Sequence, residues 1–403
     1  MTVPQSSTGN QPLPDRRIFG AQWPLMLAAA IGLIPFTVYS TYLVPISETV
    51  GASDAAVGFL RGLGGITALL VGVAVAPLLA RWPKRRVSAL ALLVLAASAL
   101  IATTGAFAAL IVFCAGVGLA TAVLTPALLT QATEFYTDPA NSGRAATLVT
   151  ATQSLAAVGA GPVIGVLGLW HGWQGTLWIT AALAVLLAAG FLRAAPPRPS
   201  PPTEPIGYLQ AFKRLRARPD LLALIAIAAL RTTSFMGYLA FLAAFYHDRF
   251  DLSARDFTLV WTLSGSAFFV GNYLAGKWCR TGAALGRHTR TVLTAGLLTA
   301  LVAVLAVFHA TTLPGAAVST ALLGLSHAVV AAQVTTLLAY HGADLTAVAF
   351  AINTAGMSLG VFTGAVLGGA GLAIGGHSGI AIALAVPVAV ATLLVPRATR
   401  PVA

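Results

Sequence analysis

Polar side chains that could hold a solute or a proton lie in the middle of long apolar segments of this sequence. Arg231, Ser234 and Tyr238 are spaced i, i+3 and i+7, so a helix places them on one face. His327 lies in another apolar segment, and an imidazole exchanges protons near neutral pH. A charge at the centre of a bilayer costs at least about 2.5 to 3.5 kcal/mol. We therefore expect these groups to face a water-filled cavity, unless neighbouring helices satisfy them as packing groups.

Proton exchange at mid-membrane depth has one candidate in the sequence. None of the 11 acidic residues lies in the middle of an apolar segment, so His327 is the central group that we expect to carry a proton. Glu48 and Glu134 lie at segment ends and serve either as solvated charges or as gate or relay groups. Arg61 is expected to snorkel or to gate by reaching Glu48 or Asp54.

The overall composition is that of a chain that lies mostly in lipid. Of the 403 residues, 58% are hydrophobic and 8% are charged, whereas soluble domains carry about 25% charged residues. These charges are too few to cover a water-facing surface. The composition therefore argues against a soluble enzyme, a nucleic-acid-binding protein and a disordered chain.

Apolar segments of membrane-spanning length recur along the chain. A transmembrane helix needs about 20 mostly apolar residues, and we predict twelve such spans. Numbered 1 to 12, they are residues 24–46, 55–80, 87–106, 107–130, 145–169, 175–193, 220–246, 255–278, 290–309, 313–340, 346–371 and 378–396. The predicted fold class is thus an all-α membrane protein with twelve transmembrane helices.

The Lys and Arg residues of alternate loops indicate the orientation. They concentrate in the two tails and in the loops after even-numbered spans, whereas the other loops contain only Arg249 and Arg255. Cytoplasmic loops are enriched in Lys and Arg, so we predict a multi-pass protein of the plasma (inner) membrane with both termini in the cytoplasm. The net charge of +12 then reflects topology, and no nucleic-acid partner is expected.

A proline-rich segment separates two sets of six spans. Prolines recur through residues 194–219 and prevent a continuous helix, while the basic stretch from Ile206 to Arg218 suits a short helix on the lipid surface. Weak sequence matches between the two sets favour two pseudo-symmetric six-helix bundles. The predicted division is a tail at 1–23, a bundle at 24–193, the linker at 194–219, a bundle at 220–396 and a tail at 397–403.

Glycine content sorts the spans further. Spans 2, 5, 8 and 11 are rich in glycine, and Gly356, Gly360, Gly364 and Gly368 share one face of span 11. Glycine lets membrane helices approach closely, so we expect the glycines of spans 5 and 11 to let the two bundles slide against each other. Spans 3, 6, 9 and 12 are mostly aliphatic and are predicted to face lipid.

Spans 1, 4, 7 and 10 contain most of the polar side chains at mid-membrane depth. Such groups are tolerated where they face protein or a water-filled cavity, so we predict that these spans surround a central substrate site. The predicted substrate-binding residues are Phe36, Tyr39, Thr121, Thr125, Arg231, Ser234, Tyr238, His327 and Gln333.

A basic loop between spans 2 and 3 resembles a motif of a known family. The loop A-P-L-L-A-R-W-P-K-R-R resembles the G-x-L-a-D-r-x-G-r-k-r loop of the major facilitator superfamily, with Arg81, Lys84, Arg85 and Arg86 at basic positions and Ala80 at the acidic one. The resemblance covers essentially the whole chain and implies two bundles that rock about a central site. It also implies that the basic loop gates the cytoplasmic side, with a lock other than the family's acidic residue.

Span 5 carries a second resemblance within the same family. Gly161, Pro162 and Gly165 are similar to the antiporter signature G-P-x-x-G-G, with Val166 at its last position. The proline could equally serve only to kink a tightly packed helix. The resemblance implies an exporter of the drug and metabolite antiporter type, similar to multidrug, chloramphenicol or sugar efflux permeases.

Three functions fit the sequence. The first is export of a small amphipathic drug or metabolite in exchange for protons. The second is uptake or exchange of a small organic or inorganic anion, because Arg231 and His327 make the predicted cavity cation-rich. The third is a membrane sensor that binds a ligand without transporting it.

The remaining expectations concern partners and cofactors. We expect a monomer in the lipid bilayer, without a cofactor, a metal ion or enzymatic activity. Residues 271–277 have the spacing of a phosphate-binding loop, but Trp278 stands where that loop needs Ser or Thr, so no ATP is expected.

Overall fold

The structure is a computed structural model that describes residues 13–74, 82–136, 138–193, 213–278, 285–342 and 345–399. These residues are almost entirely helical, and no strand occurs among them. The predicted motif residue Arg81 and the start of the predicted interfacial helix, residues 206–212, lie outside the described residues.

We call residues 13–193 the N-terminal half, and its described residues form eight helices. They are α1 (Asp15–Ile31), α2 (Ile34–Thr41), α3 (Leu43–Val50), α4 (Asp54–Ala74), α5 (Lys84–Ala102), α6 (Phe107–Glu134), α7 (Pro139–Leu167) and α8 (Gly172–Arg193). The first three follow one another as a single broken span, interrupted around Gly32 and Tyr42.

We call residues 213–399 the C-terminal half, and its described residues form five helices. They are α9 (Pro219–Phe250), α10 (Ala254–Trp278), α11 (Leu285–His309), α12 (Leu313–Gly342) and α13 (Thr346–Ala398). The boundaries of the two predicted six-helix bundles remain a prediction.

Helix α13 is a hairpin of two arms. Its 53 residues include non-helical backbone at Gly375 and at Gly376, whose φ is 59°. A straight helix of that length would extend about 80 Å at 1.5 Å per residue, far beyond the roughly 30 Å core of a bilayer. The arms pack so closely that a Cβ on Gly371 would lie 2.6 Å from the carbonyl oxygen of Gly379. The chain therefore reverses direction at residues 375–376, between predicted spans 11 and 12.

Within the part of the chain that the structure describes, ten helical segments are long and apolar enough to cross a membrane. This number counts the two arms of α13 as one segment, and it does not include Ala254–Trp278, which has 25 residues with charged side chains near both ends. The predicted class, a helical membrane protein, is confirmed. The number of twelve crossings stays a prediction, which the hairpin and the length of α10 favour.

The first helix begins earlier than predicted. We expected a tail to residue 23, but α1 begins at Asp15, directly after Pro14. Two contacts hold this turn against the start of α7: the Arg144 Nε donates to Asp15 Oδ1 over 2.7 Å, and the backbone N–H of Leu13 donates to Asn141 Oδ1 over 2.8 Å. Asp15 belongs to the polar stretch in which we predicted no helix, and its contact with Arg144 anchors the start of α1.

Aliphatic side chains cover the outer surfaces of the helices that we predicted to face lipid. Leu186 in α8, Val302 in α11 and Leu393 in the second arm of α13 are each about two-thirds exposed or more. Exposed Leu, Ile and Val side chains without polar neighbours suit the hydrocarbon of a bilayer.

Two pairs of helices bring the halves into backbone contact. A Cβ on Gly65 of α4 would lie 2.6 Å from the backbone nitrogen of Phe362 in α13, and one on Gly265 of α10 would lie 2.8 Å from the carbonyl oxygen of Ala157 in α7. Such distances are possible because glycine has no side chain.

The close approaches between the halves lie away from the chain termini. We call the side of Asp15 and Asp220, where α1 and α9 begin, the terminal face, and the side of residues 51–53 and 375–376 the opposite face. On α4 the approaches fall between residues 55 and 65, and on α7 between residues 157 and 165. On α4 the side chains become exposed toward the terminal face, as at Leu70 and Val73. The halves are therefore pressed together toward the opposite face.

Candidate functional site

Four of the predicted site residues meet inside the C-terminal half. Arg231, Ser234 and Tyr238 lie on one face of α9, and His327 of α12 packs beside them; their exposed fractions are 4%, 0%, 0% and 0%. The ring of Phe235 lies 4.9 Å from that of His327, centroid to centroid. The Phe235 ring also stacks on that of Tyr238, at 6.0 Å between centroids. These polar side chains are thus turned into protein, not toward lipid.

Several polar atoms of this cluster have no hydrogen-bond partner among the residues that the structure describes. They are Arg231 Nε, Ser234 Oγ, Tyr238 Oη and both ring nitrogens of His327. An unsatisfied buried polar group costs about 1 to 3 kcal/mol, so several of them together are a substantial penalty. Water or a polar ligand would remove that penalty, which makes the cluster a candidate binding site.

The contacts of the Arg231 face are made within the C-terminal half. Arg231 donates to Thr232 Oγ1 over 3.1 Å. Tyr238 packs against Phe308 of α11, at 6.3 Å between ring centroids, and its hydroxyl lies near Thr320 of α12 without a hydrogen bond of normal geometry. Thr320 instead pairs with the hydroxyl of Tyr246 at 2.9 Å. The face of α9 that carries Arg231, Ser234 and Tyr238, which we predicted to bind substrate, therefore borders α11 and α12.

The predicted site residues of the N-terminal half form a separate group. The Tyr39 hydroxyl donates to the Val57 carbonyl over 2.8 Å, and the Tyr39 ring stacks on Phe113 at 5.7 Å. Thr121 donates to the carbonyl of Val117 in its own helix. Phe36 and Thr125 are half-buried. Among the described residues, no hydrogen bond or ring contact joins this group to the cluster around His327.

Arg61 connects the two halves, a role that the sequence did not reveal. Its Nη1 donates to the carbonyl oxygen of Met236 in α9 over 3.1 Å, and its Cζ lies 5.9 Å from the centre of the Phe36 ring. It forms no ion pair with Glu48 or Asp54 among the described residues, contrary to our expectation; Asp54 accepts from Ser47 instead. Gly58, Gly62 and Gly65 are the sequence signal of a close approach beside Arg61.

The remaining coupling and binding candidates differ in burial. Glu48 and Glu134 are exposed, whereas Gln333 is 3% exposed and His327 is 0% exposed. His327 is therefore the most deeply buried of the three groups that we proposed for proton transfer.

The described part of the basic loop is hydrogen-bonded to another helix of the N-terminal half. Gln131 of α6 donates to Ser88 Oγ over 2.7 Å and to the Lys84 carbonyl over 3.3 Å. Lys84 and Arg85 are half-buried, and Arg86 is exposed. The start of α5 is therefore held by α6.

The glycines of predicted spans 5 and 11 have different neighbours. A Cβ on Gly161 would collide with Thr258 and Thr262 of α10, in the other half, and one on Gly165 would lie 3.1 Å from Thr258 Oγ1. Pro162 between them is exposed. These two glycines do lie between the halves.

The three span 11 glycines that we proposed for sliding, Gly356, Gly360 and Gly364, pack within the C-terminal half instead. A Cβ on Gly360 would lie 2.6 Å from the Ala229 carbonyl of α9, and one on Gly364 would lie 2.8 Å from the Gly237 nitrogen; Gly356 faces α9 at ordinary contact distance. The spacing correctly predicted a close helix contact, but the partner is α9 and not the other half. Phe362, on a different face of α13, meets α4.

Comparisons with known proteins agree with this arrangement of helices. Residues 25–347 match the family model described as Major Facilitator Superfamily. A chloramphenicol resistance protein of Streptomyces lividans is 29% identical over 240 residues, which are 58% of this chain. The match spans only 60% of the length of that relative.

Solved transporter structures share the fold at low sequence identity. A bacterial homologue of the human lysosomal transporter Spinster, in an inward-facing and unoccupied conformation, has a TM-score of 0.73 and 19% identity; the match covers 97% of this chain and all of that one. A mutant of the nucleoside transporter NupG has a TM-score of 0.76 and 14% identity, over 94% of this chain and all of that one. At these identities the likeness establishes the fold.

Proposed function

We propose that this chain, which belongs to the major facilitator superfamily, is a secondary transporter that exports a small amphipathic molecule by alternating access in exchange for protons. The observation that carries the proposal is the one-sided contact between the halves. Gly65 and Gly161 bring backbones together toward the opposite face. A site between two such halves can be exposed to the other side while that face is closed.

The proposed orientation rests on the distribution of basic residues. Lys and Arg residues concentrate on the terminal face, and only Arg249 and Arg255 lie in the loops of the opposite face. We propose that the terminal face is cytoplasmic and that the membrane is the plasma membrane. Closure at the opposite face is then closure to the outside, with the site open to substrates made in the cell.

The direction of transport is supported by the relative and by the span 5 motif. The relative's name associates it with chloramphenicol resistance, and Gly161, Pro162 and Gly165 are similar to an antiporter signature. We therefore propose export, with chloramphenicol as the first substrate to test.

We propose that His327 carries the exchanged proton. No acidic residue lies at mid-span, and both nitrogens of His327 are buried without a partner in the described part of the chain. A proton can reach them only when water or substrate enters the cluster, which couples protonation to conformational change. One charge that crosses 100 mV supplies about 2.3 kcal/mol, which is enough for concentrative export.

The test is chloramphenicol flux in proteoliposomes with an imposed pH gradient. The wild-type protein is expected to concentrate chloramphenicol on the acidic side. His327→Ala is expected to lose this response to the gradient while it still exchanges labelled for unlabelled substrate. His309→Ala, which changes an exposed histidine of α11, is the matched control and should behave as the wild type.

Two results would contradict the proposal at different points. Intact gradient-driven transport by His327→Ala would show that the proton is carried elsewhere. Binding of substrate without any counterflow would instead favour a sensor that does not transport.

Anion exchange is a second candidate function, and the charge around Arg231 favours it. The described residues place no carboxylate in contact with Arg231, so an anionic substrate would supply its missing counter-charge. Arg231→Ala should abolish transport of an anion, whereas it should only weaken or shift the selectivity for a neutral drug. Measuring both kinds of substrate in one preparation separates the two functions.

A further inference from the structure

Arg61 is a buried cation at the junction of the two halves. It lies in the first turns of α4, is 7% exposed, and reaches across to the Met236 carbonyl of α9 at 3.1 Å. Among the described residues this is its one hydrogen bond, and its Nε has no partner there. A guanidinium carries five N–H donors, so most of its hydrogen-bonding capacity is unused.

No fixed negative charge compensates Arg61. The described residues include no ion pair to it, and none of the 11 acidic residues of the sequence lies at mid-span. A neutral carbonyl such as that of Met236 satisfies one donor but does not neutralise the charge. Buried charges are normally paired, so a mobile counter-charge is the remaining partner.

The surroundings of Arg61 are apolar and aromatic. Phe36 lies beneath the guanidinium at 5.9 Å and packs edge-on against Phe113 at 6.4 Å. Phe36 and Met236 are both half-buried, so each presents some surface that no protein atom covers. Gly64 is what allows this position of the ring, because a Cβ there would collide with Phe36.

We propose that Arg61 docks the carboxylate of an aromatic organic acid whose ring packs against Phe36 and Met236. A guanidinium binds a carboxylate through two parallel hydrogen bonds, and its unused donors permit that geometry. The ring of the acid adds apolar contact with side chains that the structure leaves half-covered. Because Arg61 also bonds across the halves, a ligand that occupies it acts at the contact that holds the halves together.

This inference rests on the proposed transport function, whose substrate it specifies, and a binding assay tests it separately from flux. Purified protein in nanodiscs is titrated with 1-naphthoate and, in parallel, with the neutral 1-naphthamide, and binding is followed by intrinsic fluorescence. We expect naphthoate to bind at least about tenfold more tightly than naphthamide, the effect of one charge-assisted contact.

Variants of Arg61 complete the test. Arg61→Gln removes the charge and should abolish the preference for naphthoate, whereas Arg61→Lys should retain part of it. Arg255→Gln, which changes an exposed arginine near the opposite face, is the matched control and should keep the full preference. If Arg61→Gln fails to fold, Arg61→Lys decides the question: a preference reduced from that of the wild type supports Arg61, and an unchanged preference shows that another cation, such as Arg231, binds the acid.

Each outcome bears on one proposal. Equal binding of both probes, binding of neither, or an unchanged preference in Arg61→Gln overturns the assignment of Arg61. Binding of naphthoate through Arg61 without counterflow leaves the assignment intact and contradicts the transport function. Export of chloramphenicol by a protein that binds naphthoate no more tightly than naphthamide supports the transport function and contradicts the assignment of Arg61.

Discussion

Gly161 of α7 and Thr258 of α10 belong to different halves, and they lie so close that any side-chain carbon on Gly161 would collide with the Thr258 carbonyl oxygen. The contact is one of those that close the opposite face. The contact depends on the absence of a side chain at residue 161. Substitution of this glycine by alanine, which adds one methyl group, therefore tests it.

Gly161→Ala should open the contact between the halves. Overpacking of a tight contact costs about 1 to 3 kcal/mol, so we expect the closed population to fall about tenfold or more. Distances between spin labels at Thr49 and Arg255, both exposed near the opposite face, report the change by double electron–electron resonance. Gly159→Ala is the control, because no atom lies within 4 Å of its new Cβ. An unchanged distance distribution in Gly161→Ala would mean that this contact does not hold the face closed.

Gly364→Ala should destabilise the C-terminal half without opening the face between the halves. Its Cβ would collide with the Thr233 carbonyl and lie 2.8 Å from the Gly237 nitrogen, both in α9. We expect a loss of about 1 to 3 kcal/mol, seen as a lower thermal midpoint in detergent. Gly356→Ala, on the same helix face, has its nearest neighbour at 3.5 Å and should unfold as the wild type does. Equal midpoints for the two variants would contradict the tight α9–α13 contact.

Asp220→Asn should loosen the terminal face of the C-terminal half. Asp220 is 8% exposed, accepts from Arg218 at 2.8 Å, and lies 3.2 Å from Nδ1 of His341 in α12. Loss of the Asp220 charge removes an ionic partner from Arg218 and from His341. We therefore expect the free energy of unfolding to fall by about 1 to 2 kcal/mol, measured by thermal unfolding.

The Asp15–Arg144 pair supplies the control for that substitution. Both of its side chains are about half exposed, and exposed ion pairs contribute little. Asp15→Asn should leave the thermal midpoint unchanged. A larger shift for Asp15→Asn than for Asp220→Asn would contradict the ranking by burial.

The number of membrane crossings can be tested at α10. If Ala254–Trp278 crosses the bilayer, a topology reporter inserted in residues 279–284 lies on the same side as one inserted in residues 213–218. Both then lie opposite to a reporter inserted in residues 168–171. A reporter at 279–284 on the side of residues 168–171 would show that α10 does not cross, and that the chain has fewer than twelve spans.

The sequence predicted the helices well because lipid imposes a simple rule on them. A span must be apolar over about 20 residues, and that requirement is visible without knowledge of any neighbour. The break at Gly375 and Gly376 fell between predicted spans 11 and 12 for this reason. The start of α1 was missed because polar residues continue the helix beyond the apolar stretch to Asp15.

The partners of each helix face were harder to predict than the faces themselves. The spacing of Gly360 and Gly364 identifies a surface for close approach, but it does not say which helix approaches. We expected Arg61 to pair with Glu48 or Asp54, which are near it in the sequence. Its partner is instead the carbonyl oxygen of Met236, which is 175 residues away. Such pairings depend on the packing of the whole chain, which local patterns do not encode.

Helices on the opposite face are joined by very short connections, residues 51–53, 103–106, 168–171, 251–253, 310–312 and the turn at 375–376. In the proposed orientation that face is the outer surface of the cell. An extracellular protease would then find almost no loop to cleave, and an antibody almost no loop to bind. Epitope tags and fused domains should accordingly disrupt the protein when they are inserted into these connections.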